Sequence, residues 1–274
     1  MPTDDRVQME QMLLALRPWL PHLVIVGGWA HRLHRLHPLA SSPAYQPVLT
    51  LDADIALSPD PPLDGDLGVA LRAAGFHPEL SGDHSPPVTR YQLGPSEQGF
   101  FVEFLVPLKG SATTRAGRPN ATLTTAGVVA QKLRHIEILL LHPWTVRFAL
   151  EGLDPADQSL QVLLAHPVCF IAQRLLIQKE RSAAKQAQDA LYIHDTIDLL
   201  GHQRQLLHAE WRERIRPALG AGVAGNVERT AQERFGRVTD SIRSACRIPQ
   251  DRALLPEEMQ IRCAAGLTAI FGGG

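Results

Sequence analysis

The sequence is poor in cysteine, in net charge and in long apolar runs, and each shortage removes a class of function. Its three cysteines, Cys169, Cys246 and Cys263, stand far apart with no C-x-x-C pair. That excludes a disulfide framework and a zinc knuckle, and suits a reducing cytosol. Lys and Arg number 27 against 28 Asp and Glu. A chain so balanced has no general attraction to nucleic acid, and its function must come from local sites. No apolar run reaches the ~18 uninterrupted residues of a membrane span. The N-terminal MPTDDRVQMEQMLLALRPWL carries acids where a secretory signal carries positive charge. The expectation is a cytoplasmic protein with no membrane partner. Internal repeats are absent too, and 274 residues suffice for one large domain or two modest ones.

What is there reads as two regions. Val7 to Leu16 places Met9, Met12, Leu13 and Leu16 at helical spacing. Leu23 to Val26 is an apolar strand that Gly27-Gly28 turns into a helix running to about His37. The stretch HPLASSPAYQP is a loop, Val48 to Leu57 the next strand, and Asp66 to Ala74 a short helix closed by Gly75. Val88 to Leu93 and Phe100 to Val106 form a hairpin across GPSEQG; Val146 to Leu150 and Ser159 to Leu164 add strands. From Pro167 onward the pattern is helical through Ala269. The expected fold class is α+β: a mixed sheet with flanking helices over residues 1–165, then a helical domain over 166–274.

Two choices in the first region work against stability and so point to chemistry. Glycine at a helix entrance costs backbone entropy, and two aspartates in an apolar strand cost desolvation. In LTLDADIALS, strand alternation puts Asp52 and Asp54 on one face and Leu51, Ala53 and Ile55 on the other. The two carboxylates, about 7 Å apart at Cα by the strand rise, repel one another unless a cation joins them. Magnesium suits hard carboxylate oxygens and is held by one or two of them plus substrate phosphates; manganese is the alternative ion. Glu103 is the only charged residue in FFVEFLV. If its strand lies beside that of Asp52, the three acids hold two metals about 3.5–4 Å apart, the arrangement used for in-line displacement at phosphorus. Gly27 and Gly28 would then let a phosphate approach bare backbone N–H groups.

This succession of hydrophobic strand, Gly-Gly, helix, hydrophobic-Asp-hydrophobic-Asp and a later lone acid resembles the nucleotidyltransferase fold of the DNA polymerase β superfamily. Within it, the chain is similar to the minimal bacterial nucleotidyltransferases, the abortive-infection toxin-like group included. One branch has TRY…VEFL strands, matched here by TRYQL…FFVEFLVPL, Thr89 to Leu108. The resemblance covers Leu23 to Leu108 and, more loosely, Pro167 to Asp195. It implies a nucleotidyltransferase-like mixed sheet, Gly27 and Gly28 against the triphosphate, and Asp52, Asp54 and Glu103 as catalytic ligands of two magnesium ions. One ion would activate the acceptor hydroxyl and the other would stabilise the leaving pyrophosphate. The 24 positions from Gly28 to Asp52 exceed the superfamily's compact spacing, so the Pro38 to Pro47 loop reads as an insertion at the substrate mouth.

The helical region offers a second set. In FIAQRLLIQKERSAAKQAQDALYIHD, the residues Arg174, Gln178, Arg181, Lys185 and Asp189 step by three or four and form one polar face, with Lys179 beside it. The spacing also lets Asp189 orient Lys185. Leaning over the cleft, Lys179, Arg181 and Lys185 would neutralise NTP phosphates, as a basic cluster on the family's C-terminal helices does; a merely solvated stripe is the plain alternative. Arg90 either binds phosphate with them or pairs with an acid. His31, His34 and His37 step by three and lack a carboxylate or cysteine partner for zinc. His31 and Arg32, in the first turns after the glycines, are expected to touch the nucleotide.

The expected function is magnesium-dependent transfer of a nucleoside monophosphate from an NTP to a hydroxyl on RNA, tRNA included, or on protein, with release of pyrophosphate. A toxin-like enzyme with a protein partner fits that reading. The rival is a nucleotidyltransferase fold kept as a non-catalytic binding module or toxin–antitoxin partner. A metal-dependent phosphohydrolase would need a His-rich cluster that the sequence lacks.

Overall fold

The computed structural model describes residues 3–82, 86–94, 99–113, 117, 119–150 and 158–272. The chain divides into two compact units, Met1–His37 with Leu49–Ala165, and Pro38–Val48 with His166–Gly274. The sheet-bearing unit therefore does not run unbroken from residue 1 to 165. The loop expected as an insertion at the substrate mouth is counted with the helical unit.

In the first unit, helix α1 (Thr3–Ala15) and the turn after it bury Met9, Met12, Leu13 and Leu16 completely, as their three- and four-residue spacing requires. Among the described residues nine strands follow: β1 (Leu23–Val26), β2 (Asp52–Leu57), β3 (His77–Ser81), β4 (Val88–Leu93), β5 (Phe100–Pro107), β6 (Thr122–Thr125), β7 (Val128–Leu133), β8 (Trp144–Ala149) and β9 (Ser159–Leu164). Helices α2 (Gly27–Leu33), α3 (Leu67–Ala73) and α4 (Ile136–Leu139) lie between them in sequence. The sheet order is β3-β4-β5-β2-β1-β9-β8, and β7, paired with β6, joins β5. It is mixed: β2 runs parallel to β5 and antiparallel to β1, while β4 and β5 form the expected antiparallel pair. Residues 95–98 of the linker between β4 and β5 lie outside the described residues.

Alternation sorts the two faces of this sheet. Ile25, Ala53, Ile55, Val102 and Phe104 belong to the large core that also takes up α1 and Trp29. Val24, Val26, Ala56 and Leu105 point the other way into a smaller cluster with Ile136, Leu139 and Ala165. Asp52, Asp54 and Glu103 share the parity of the second set, so one end of this face is polar.

The helical unit consists of α5 (Pro167–Ile177), α6 (Ala183–Leu200), α7 (Arg204–Glu210), α8 (Arg216–Leu219), α9 (Ala221–Arg234), α10 (Asp240–Ala245) and α11 (Pro256–Phe271), together with the segment 38–48. The polar face expected to run from Arg174 to Asp189 is interrupted. Arg181 is extended at φ −93 and ψ 143, and the Ser182 side chain caps α6 by accepting from the Lys185 N–H. A capping serine competes with helix continuation, so α5 and α6 are separate helices.

Candidate active site

Five strands set the site, and their register determines which side chains meet. Val26, the last residue of β1, stands opposite Asp54 of β2; Asp54 stands opposite Glu103 of β5; Glu103 stands opposite Arg90 of β4; and Arg90 stands opposite Glu79 of β3. Side chains paired across strands point to the same face. Asp54, Glu103, Arg90 and Glu79 therefore form one transverse row, and Asp52 stands two residues before Asp54 on the same side. Both aspartates are half-buried, between fully buried neighbours Ala53 and Ile55.

At the end of β1 the chain turns through Gly27, whose φ is +63, a left-handed conformation that only glycine adopts readily. A Cβ built there would lie 2.1 Å from Asp54 Oδ2. The glycine thus serves two needs, the turn and the approach of a carboxylate to the backbone. Gly27 and Gly28 open α2 and are buried, and the first backbone N–H groups of a helix have no partner within it.

Glu103 is engaged by its row neighbour. Arg90 donates from Nε to Glu103 Oε1 at 2.6 Å, with Nη2 at 2.5 Å from the same oxygen. The guanidinium carbon also stands 4.9 Å from the centre of the Phe101 ring. The pair is one-third exposed on the Arg90 side and less on the Glu103 side. Of the two roles open to Arg90 in the sequence, the structure displays the ion pair.

The donors suit a divalent cation in kind. Asp52, Asp54 and Glu103 supply hard oxygens from adjacent strands on one face. Among the described residues, no group of three or more His, Cys, Asp or Glu is gathered as a metal site, and Glu103 is paired with Arg90. One or two carboxylates are what a magnesium ion usually takes from a protein, and Asp52 and Asp54 are of that kind.

Lys179, Arg181 and Lys185 belong to the helical unit. Arg181 donates from Nε and Nη2 to Asp189 at 3.1 and 3.3 Å, and Arg174 Nε lies 3.3 Å from the same carboxylate. Asp189 is fully buried, so it holds two arginines and does not orient Lys185, whose Nζ reaches Gln188 Oε1 at 3.5 Å. The helix break explains the correction, because it folds Arg181 back onto α6.

His31 and Arg32 are not placed to touch a nucleotide as expected. Both are buried, with Arg32 Nη1 3.3 Å from Asp5 Oδ2 and its guanidinium 4.1 Å from the Trp29 ring centre. His34 Nε2 lies 2.8 Å from the Ala165 carbonyl. A carbonyl can only accept, so this nitrogen carries the proton. Burial is the main reason that the His34 pKa is lowered to about 4. His37 stacks on Trp144 at 3.8 Å between ring centres.

A polar network that the sequence does not reveal surrounds the segment 38–48. Tyr45 donates to Asp198 Oδ2 at 3.0 Å, and the Arg252 guanidinium lies 3.4 Å over its ring. A lone aromatic in a Pro/Ser loop was the available signal, but nothing in the loop's composition says where it docks.

Fold and site together define an α+β protein with paired strand carboxylates beside a glycine turn. The chain belongs to a nucleotidyltransferase family: a family model described as Nucleotidyltransferase matches residues 10–216. That span includes Gly27, Gly28, Asp52, Asp54, Arg90 and Glu103, and ends at the first residue of α8. No curated protein and no solved structure gives a match.

Proposed function

We propose that the protein transfers a nucleoside monophosphate from an NTP to a hydroxyl acceptor, using Asp52, Asp54 and Glu103 with magnesium or manganese. Family membership supports nucleotidyl transfer in general. The observation that carries the finer reading is the register of β1, β2 and β5, which puts Asp54 between the Gly27 turn and Glu103. The cation, when bound by these carboxylates, supplies charge neutralisation at the phosphates and lowers the acceptor's pKa. The acceptor oxygen attacks the α-phosphorus, the bond to the bridging oxygen of the β-phosphate breaks, pyrophosphate leaves, and the hydroxyl proton passes to a carboxylate or to water. The chain's contribution is positioning. Asp52 and Asp54 are held apart by the strand rise, and Arg90 holds Glu103 in place. Gly27 lets Asp54 lie against the turn from which the backbone N–H groups of α2 begin.

RNA or a protein hydroxyl is the acceptor class we favour, with a toxin-like role, on the resemblance to toxin-like members. The experiment is transfer of each α-³²P-labelled NTP, with magnesium or manganese, onto total tRNA, total protein and small hydroxyl compounds, with an Asp52→Ala/Asp54→Ala variant beside it. Label transferred by the wild type and lost in the variant supports the reading. Transfer that survives in the variant refutes it. The second reading, a non-catalytic module, is favoured by one observation, the closure of Glu103 onto Arg90. Metal-independent binding of a protein or RNA, unchanged by Asp54→Ala, would support that reading.

A further inference from the structure

The segment 38–48 leaves the first unit after α2 and returns to it at β2, so it joins the glycine turn to the carboxylate strand. Between those points it is anchored in the helical unit. Ser41 donates from both its N–H and its hydroxyl to the Leu199 carbonyl, each at 2.9 Å. The Gln46 N–H donates to Asp251 Oδ2 at 2.6 Å. Tyr45 lies between them, bonded to Asp198 and stacked on Arg252.

The Arg252 end is held by a buried acid. Its Nη2 donates to both oxygens of Asp195, at 2.8 and 2.6 Å, and Asp195 is 1% exposed and also bonded to His194 Nδ1 at 2.9 Å. Nε and Nη1 of Arg252 are buried without a hydrogen-bond partner. The face of the Tyr45 ring covers the guanidinium, giving it a cation–π contact in place of water. Burial, then the charges of Asp195 and Asp198, push the Tyr45 phenol up, so it stays a donor.

Gln46, the last anchor, is six positions before Asp52. In between, the Thr50 carbonyl accepts from Arg32 at only 3.5 Å, and the Leu51 carbonyl takes the Phe101 N–H at 3.0 Å. We propose that Tyr45 is a positioning residue: locked on Arg252 and Asp198, it tethers the start of β2 and so sets the order of the strand that presents Asp52 and Asp54. The kinetic consequence rests on the function proposed above, but the tether itself does not.

The test is hydrogen exchange with mass spectrometry on the full chain, comparing the wild type, Tyr45→Phe, Tyr45→Leu, and a variant with Gly-Gly inserted between Pro47 and Val48. Exchange reports local opening. Tyr45→Leu is expected to raise exchange at residues 52–57 by about tenfold through such opening, with α3 and β8 unchanged. Tyr45→Phe, which keeps the stack, is expected to lie between. The insertion leaves the anchors intact and slackens only the tether, so it should match Tyr45→Leu at 52–57 while α6 and α11 stay protected. Faster exchange confined to 38–48 and the helical unit, or an insertion without effect at 52–57, would overturn the proposal. In a transfer assay, Tyr45→Leu should lower kcat about tenfold with the KM for NTP within about threefold, since misplacement is felt mainly in the transition state. A rise in KM alone would also overturn it. Absence of NTP transfer by the wild type counts against the proposed function, and the exchange result still decides the tether.

Discussion

Asp54 places its carboxylate in the space that a side chain on Gly27 would need: a Cβ there would meet Oδ2 at 2.1 Å. The left-handed φ of +63 adds a conformational demand at the same residue. The two demands are separable. Gly27→Ala is expected to cost about 1–3 kcal/mol of stability, and transfer activity should fall with it. In an Asp54→Ala background the new Cβ would face the Asp54-position Cβ at 3.3 Å, tight but tolerable, so the same substitution should cost less. A double-mutant cycle by urea denaturation measures the difference, and strict additivity would count against the contact.

Asp52 and Asp54 repel one another without a counter-charge. Asp52→Asn/Asp54→Asn should therefore be as stable as the wild type, or more stable, in chelator, while transfer is lost. Magnesium should raise the Tm of the wild type and not that of the variant, because only a species that binds the ion is stabilised by it. Thermal unfolding with and without magnesium checks both statements.

Arg90 holds the acid that a cation would want. Arg90→Gln should strengthen binding of magnesium alone several-fold and weaken binding of the NTP. The partly exposed ion pair is worth only about 0–1 kcal/mol to folding, so the Tm should move little. Calorimetric titrations with metal and with a non-hydrolysable NTP distinguish the two signs; parallel losses would mean that Arg90 supports structure only.

His34 gives the first unit a defined acid sensitivity. Its folded pKa of about 4 lies below the ordinary 6.5 or so of an unfolded chain. The unfolded state therefore binds the proton first, and stability falls as pH drops from about 6.5 to about 4, then levels with respect to this residue. The loss attributable to it is on the order of 3 kcal/mol. His34→Gln keeps a donor for the Ala165 carbonyl and removes the titration. Its urea midpoint should vary less with pH across that window than the wild type's.

Asp189 is fully buried between Arg174 and Arg181. Asp189→Ala leaves two guanidiniums without their acid and should destabilise the helical unit by about 3–5 kcal/mol. Lys185→Ala, at an exposed position, should change stability by no more than about 0.5 kcal/mol. Equal effects in chemical denaturation would refute the pairing.

Features that depend on near neighbours are written in the order of residues. Alternation in LTLDADIALS set the common face of Asp52 and Asp54, the spacing of Met9, Met12, Leu13 and Leu16 set the buried side of α1, and the apolar run into Gly27 set the strand-to-turn junction. These are consequences of strand and helix periods, which a few residues suffice to express. Which residues pair across the chain depends instead on how the fold closes. Strand order and register put Glu103 between Asp54 and Arg90. The break at Arg181 and Ser182 gave Asp189 to two arginines. Chain packing carried the segment 38–48 into the helical unit, where Tyr45 found Arg252 some 200 positions away. Such partnerships depend on the closure of distant parts of the chain, which no local periodicity encodes.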